Sequence, residues 1–193
     1  MARPREFDPS EALEKVTRVF WKQGYQATSY RDLMKATRLS KQSLYCAFGD
    51  KHELFLKSLR HYREQTADAL ERLDRNQKTA SELLREMMTY AAFRSDLIQC
   101  PQGCLVANTT LELGNADPDI LRELLAMNDL LLRNFSAVLL EGQKKHQVTD
   151  AISSKTLARF LLNTLNGIRI LEKTARSKDE IQSVIDVALR SVL

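Results

Sequence analysis

Apolar residues recur every three or four positions along nearly all of this chain, the period of amphipathic helices. Asp8, Pro9, Ser10 and Glu11 read as a helix start, and Leu13, Val16, Val19 and Phe20 carry the stripe until Gly24 ends it. Thr28 and Ser29, with Asp32 three residues later, open a second helix that ends near Thr37. Ser40 opens a third of barely two turns, Lys41 to Phe48, with Leu44 and Phe48 on one side. Gly49 offers a left-handed stop, and Asp50 with Glu53 starts a long fourth helix to about Leu73.

Residues 76–193 show no strand-like alternation, repeat or low-complexity segment. A helix from Ser81 runs through Leu83, Leu84, Met87, Met88 and Ala91, and a break follows at Cys100-Pro101-Gln102-Gly103. Cys104 to Leu113 reads as a short helix closed by Gly114. Asp117-Pro118 opens a long one through Ile120, Leu124, Leu125, Leu131, Phe135 and Val138 to about Gly142. Ser153 and Ser154 open the next, to about Lys173, with Leu157, Phe160, Leu161, Leu165 and Ile168 assigned to one stripe. The last is capped by Ser177 with Glu180 and stays apolar on one face through Val192. The expectation is an all-α fold of about nine helices.

The third helix poses a question, because two turns are marginal alone. Propped by neighbours, it is free to expose its other face, which carries Lys41, Gln42, Ser43 and Tyr45. Two helices joined by the tight Arg38-Leu39-Ser40 turn make a helix-turn-helix, whose second helix enters the major groove of DNA by its N-terminal end. Arg31 and Gln42 are the candidates for base contacts, since arginine pairs twice with guanine and glutamine with adenine. Lys41 and Ser43 suit bases or phosphates. One short helix reads few base pairs, so specificity calls for a dimer on a palindromic operator.

Charge supports that reading. The net charge is +4, yet residues 1–63 hold thirteen Lys and Arg against seven Asp and Glu, leaving sixteen against eighteen beyond them. The front end is thus suited to a polyanion. At 193 residues, 44% hydrophobic, with 6 Gly and 4 Pro, the chain suits one or two helix-rich globular units. The first ten residues carry no apolar run, and arginines interrupt the apolar stretches well short of a membrane span, so neither a secretory signal nor a membrane partner is expected. Three cysteines, an odd number, fit a reducing cytoplasm.

Taken together, Phe20-x-x-x-Gly24-Tyr25-x-x-Thr28-Ser29, Arg31-Asp32-Leu33, Leu39-Ser40-Lys41-x-Ser43-Leu44-Tyr45-x-x-Phe48 and Lys51-x-x-Leu54-Phe55 resemble the amino-terminal signature of the TetR family of bacterial transcriptional regulators. The resemblance spans about residues 5–60. It implies a homodimer with a DNA-binding domain at 1–55 and a ligand-binding and dimerisation domain at 56–193. It also implies phosphate clamps at Thr28, Tyr45 and Lys51, and dimerisation through the last two helices. The chain departs from the pattern at Arg38, where the turn usually has Gly, at a cost of roughly 1 kcal/mol if the backbone is left-handed. It departs again at Cys46, where the family often has an aromatic residue or His.

Regulation by a small molecule or electrophile follows from the same resemblance, with Met87, Phe93, Leu105, Leu124, Met127, Asn128, Leu131 and Phe135 as candidate lining. Gly103-Cys104-Leu105 resembles a branch of the family that answers electrophiles or oxidants. Cys104 stands at a helix N-terminus, where the backbone dipole favours a thiolate, and Cys100 lies close in sequence; the alternative is a buried structural thiol. No cofactor or metal is expected: the two cysteines lack Cys-x-x-Cys spacing and His52, His61 and His146 are scattered. No phosphate loop or catalytic constellation is recognisable, so an enzyme is not expected. Two other readings stand beside the ligand-released repressor: a DNA-binding or architectural protein whose body holds a protein partner, and a small helical enzyme that uses the head as scaffold.

Overall fold

The computed structural model describes residues 7–94, 103–114, 116–174 and 177–193. Among these the chain forms nine helices and no strand. We number them α1 (Pro9–Gln23), α2 (Tyr30–Thr37), α3 (Lys41–Phe48), α4 (Lys51–Glu71), α5 (Ala80–Ala92), α6 (Leu105–Leu113), α7 (Pro118–Lys144), α8 (Ser154–Leu171) and α9 (Lys178–Arg190).

The first four helices start on local side-chain caps. Asp8 accepts from the Ser10 N–H at 2.8 Å, Ser40 from Ser43 at 3.0 Å and Asp50 from Glu53 at 2.8 Å, while Ser29 and Asp32 form a reciprocal box. Such caps satisfy amide groups that a short helix would leave bare. Behind them Phe20 meets Phe55 edge-on with ring centroids 4.8 Å apart, and Val16, Leu33, Leu44 and Leu54 are fully buried.

In the body α7 is central, packing against α4, α5, α6 and α8, while α9 closes on α5 and α8. Leu84, Met88, Phe135, Leu161 and Ile185, one or more from each of four helices, are completely buried and continuous with the head's apolar residues. The expected division at residue 55 falls inside α4, an unbroken helix of 21 residues. Glu123 of α7 is nearly buried and takes Arg60 Nε at 2.6 Å and Arg63 Nη1 at 2.5 Å, fastening α7 to α4. Glu14 of α1 lies 2.9 Å from His61 Nε2 and 2.7 Å from Gln65 Nε2, fastening α1 to the same helix.

Several starts and stripes differ from expectation. Helix α5 begins at Ala80, because the Thr79 hydroxyl accepts the Glu82 N–H while the Glu82 carboxylate accepts the Thr79 N–H, a reciprocal box that starts two residues before Ser81. Ser177 stands at the start of α9 without a side-chain cap hydrogen bond. Phe160 and Leu125, assigned to buried stripes, are 44% and 52% exposed. Each sits on a side of its helix turned away from the residues that meet the core, Phe160 away from Leu161 and Leu165 and Leu125 away from Leu124 and Leu131.

Candidate nucleic-acid interface

The α2–α3 corner is built from local rules. The chain leaves α2 through Arg38 at φ 61°, ψ 22°, where its N–H closes on the Met34 carbonyl at 2.8 Å. A side chain in this left-handed region is strained by about 1 kcal/mol, the cost anticipated for an arginine where glycine is easier. Ser40 restarts the helix at once, and α3 ends at Gly49, φ 87°. Leu44 and Phe48 face inward. Lys41, Gln42, Tyr45 and Cys46 face solvent, with Tyr45 59% exposed.

Arg31 and Lys35 on α2 are exposed as well, so the outward sides of the two helices together present cations, an amide and a phenol. Ser43 is half-buried, with its hydroxyl 2.9 Å from that of Ser40. Lys41 Nζ lies 4.7 Å from the centre of the Tyr30 ring and Lys51 Nζ 4.5 Å from that of Tyr25. These aromatic faces hold the ammonium groups near the surface without neutralising them. Desolvation lowers the Lys51 pKa from the usual lysine range, and the Glu112 carboxylate opposes that.

Thr28 is placed differently from the other six. It is buried, and its hydroxyl donates to the Gly24 carbonyl at 2.6 Å, so this proton is spent on shaping the corner between α1 and α2 rather than directed outward.

In the body, Met87, Leu105, Leu124, Met127, Leu131 and Phe135 are buried core, while Phe93 and Asn128 are half-buried. None of the eight lines a cavity of about 170 Å³ between the start of α5 and the end of α7, whose walls include Ala80, Leu83, Val138, Gly142, Lys145 and Gln147, or the larger open groove beside Tyr90 and Gln182. A ligand seated among the eight would have to part packed side chains. Cys104 is buried with its sulfur 3.4 Å from the Tyr62 hydroxyl, and burial pushes that phenol up. Cys100 lies outside the described residues.

Three features had no signal in the sequence. Arg94 is buried with its guanidinium 3.7 Å from the Tyr62 ring centre, and it donates to the Thr66 hydroxyl and to Gln65 Oε1. Arg169 is also buried, its Nε without a hydrogen-bond partner among the described residues. His52, Asp117 and Asp119 bring three potential ligand atoms within 4.8 Å of one another, a grouping that the scattered histidines did not suggest. Asp117 also caps α7 and Asp119 pairs with Arg122 at 2.8 Å.

A helix-turn-helix whose second helix turns its polar side outward, set on a larger helical body, defines the class of DNA-binding transcription regulators. The description "Bacterial regulatory proteins, tetR family" matches residues 13–57, and "Tetracyclin repressor-like, C-terminal domain" matches residues 80–188. The chain belongs to the TetR family. It is 28% identical to the HTH-type transcriptional repressor ComR of Escherichia coli (strain K12), over 97% of this chain and 90% of that protein. Its identity with the repressor DhaR of Mycobacterium sp. (strain GP1) is 24%, over 94% and 90% respectively. Among solved structures, a triple cysteine variant of the TetR-family regulator CifR, in complex with a 26-bp operator duplex, superposes with a TM-score of 0.82 at 28% identity over the whole of both chains. Reduced NemR of E. coli shares the fold, with a TM-score of 0.83 at 17% identity over 96% of each chain. Among the described residues no helix is long and apolar enough to cross a membrane.

Proposed function

We propose that this chain is a cytoplasmic transcriptional repressor that binds an inverted-repeat operator as a homodimer and lets go of it when an effector reaches the body. The observation that carries this reading is α3 itself, anchored by Leu44 and Phe48 and offering Lys41, Gln42 and Tyr45 to solvent beside Arg31 of α2. In the groove, Arg31 and Gln42 face base edges, each good pair contributing about 1–3 kcal/mol of discrimination. Tyr45 and Lys51 hold phosphates, Lys41 and Ser43 lie where either contact is within reach, and Thr28 supports them from beneath. The second copy docks on the outer faces of α8 and α9, where Phe160, Ile170 and Val187 leave apolar surface 44–62% exposed.

The effector is a small molecule that opens the core around Met127, Leu131 and Phe135, or an electrophile that bonds to the Cys104 sulfur as the thiol proton leaves, with Cys100 near in sequence. An adduct on Cys104 would press on Tyr62 of α4, whose hydroxyl already lies against that sulfur. Either event acts by favouring a body conformation in which the two heads no longer match their half-sites, to the extent that the effector binds that conformation better. No catalytic step enters.

Titrating purified protein against inverted-repeat duplexes from upstream of its own gene tests the reading. Gln42→Ala should relax preference at one base position, whereas Lys51→Ala should weaken binding to all duplexes alike and reduce the salt slope by about one for each phosphate it ceases to neutralise. Failure of the unaltered protein to bind any such duplex even in dilute salt would overturn it.

A further inference from the structure

Helix α6 touches the head at both ends. Just before its start, the Gly103 carbonyl accepts the Trp21 indole N–H at 2.8 Å. Near its end, Glu112 spreads its carboxylate over two consecutive backbone amides of the turn after α1, with Oε2 taking the Tyr25 N–H at 3.0 Å and Oε1 the Gln26 N–H at 2.7 Å. Charge-assisted bonds of this kind are stronger than neutral ones. A side chain at Gly24, φ 82°, would put its Cβ 2.8 Å from Glu112 Oε2, so the bare position lets the carboxylate lie this close to the turn without shifting.

The grip is on backbone, so it sets where the turn lies whatever its side chains are. Two residues beyond Gln26, Thr28 ties back to the Gly24 carbonyl, and Ser29 then caps α2. The position of Glu112 is therefore passed within a few bonds to the first turn of α2, and through the rigid corner at Arg38 to α3. A second carboxylate of the same α6–α7 corner acts nearby, with Asp117 Oδ2 2.8 Å from His52 Nε2 in the first turn of α4, next to Lys51. At the other end of α6 stands Cys104, so a nine-residue rod of about 13 Å joins the buried thiol to the clasp on the head.

We propose that Glu112 is the positioning residue through which the body sets the reading head. While α6 stays in place, the carboxylate holds the α1–α2 turn and the two α3 helices keep the orientation that the operator requires; when α6 shifts, the turn is released and specific binding is lost. This rests on the repressor reading above and names the device that regulates it.

The test uses full-length Glu112→Ala and Glu112→Gln, each titrated against the operator duplex and a scrambled duplex of equal length, with thermal melts in parallel. The alanine variant should bind the operator about tenfold more weakly, the scale of one charge-assisted hydrogen bond. Its affinity for the scrambled duplex should hold or rise, because the phosphate contacts stay in place and the substitution removes a carboxylate that acts on Lys51. The glutamine variant keeps one acceptor and should fall between. Hydrogen exchange at the Tyr25 and Gln26 amides should quicken in both variants. Operator affinity within about twofold of the unaltered protein would overturn the proposal, as would a parallel fall on both duplexes. If both variants melt before binding is measurable, Glu112 is a folding element and the proposal also fails. An unaltered protein that ignores every inverted repeat overturns the repressor reading instead, so the two failures are told apart.

Discussion

The head and the body of this molecule are both helical, yet they are stabilised on different scales of distance. In the head, α2 and α3 are each 8 residues long, and each begins on a serine that bonds an amide three residues on. In the body, α7 runs for 27 residues and α8 for 18, their stripes closed by partners from other helices. A short helix that must keep one face free for DNA has little core to lean on, so its ends are specified locally. The long body helices are capped as well, α7 by Asp117 and α8 by Ser153, but the 13-residue α9 starts with no side-chain cap hydrogen bond from Ser177 and is held by the apolar residues it buries.

The sharpest way to break this contrast is in the body's centre. Phe135→Ala should cost about 3–5 kcal/mol, seen as a large fall in melting temperature, because the fully buried ring leaves a cavity that α4, α5 and α8 cannot collapse into. Removing the strap between α4 and α7 with Glu123→Ala should cost less, about 1–3 kcal/mol in denaturant unfolding. Arg60 is half-exposed and able to return to water, while Arg63, only 27% exposed, loses a largely sheltered partner.

Acid probes the join between head and α4. The Glu14 carboxyl is held down at about 2 from its ordinary 4.5, first by its hydrogen bond with His61 and then by Arg18 and Gln65, against the opposing pull of burial. A depressed folded pKa means that the folded state binds the proton less readily than the unfolded chain. The stability contributed is therefore complete above pH 4.5 and lost as the pH falls toward 2. Glu14→Gln should flatten the acid limb of a stability curve by on the order of 2 kcal/mol, allowing for solvent screening. An unchanged limb would mean that this join contributes little.

Caps supply the smallest effect and the finest test of the contrast. Ser29→Ala should cost about 1 kcal/mol by thermal melting. Its consequence for operator affinity should exceed that of an equally destabilising body substitution, since the lost cap belongs to the helix that carries Arg31. Equal effects on binding would show that global stability, and not the local order of α2, limits recognition.

What the chain declared about itself follows the same division. The Ser29–Asp32 box, the Ser40 start, the Gly49 stop and the outward Lys41, Gln42 and Tyr45 were legible because every partner lies within four residues. The strained Arg38 turn was legible too, as a cost attached to a conformation that the backbone then adopted. Phe160 was misassigned because periodicity gives the angle between residues on a helix, while only the neighbouring helices say which angle faces the core. The start of α5 moved from Ser81 to Ala80 because Thr79 is as good a cap as Ser81 and the Glu82 side chain decides between them.

The amino-acid order by itself determined that this protein is helical, where its recognition helix lies and which side chains that helix offers, since those outcomes rest on hydrogen bonds and periodicities within a few residues. Only the tertiary structure decided that Thr28 points inward, that Tyr30 and Tyr25 lie beneath Lys41 and Lys51, and that Glu112 holds amides 86 and 87 positions away. Contacts across such spans depend on how whole helices pack, and local pattern carries no record of that.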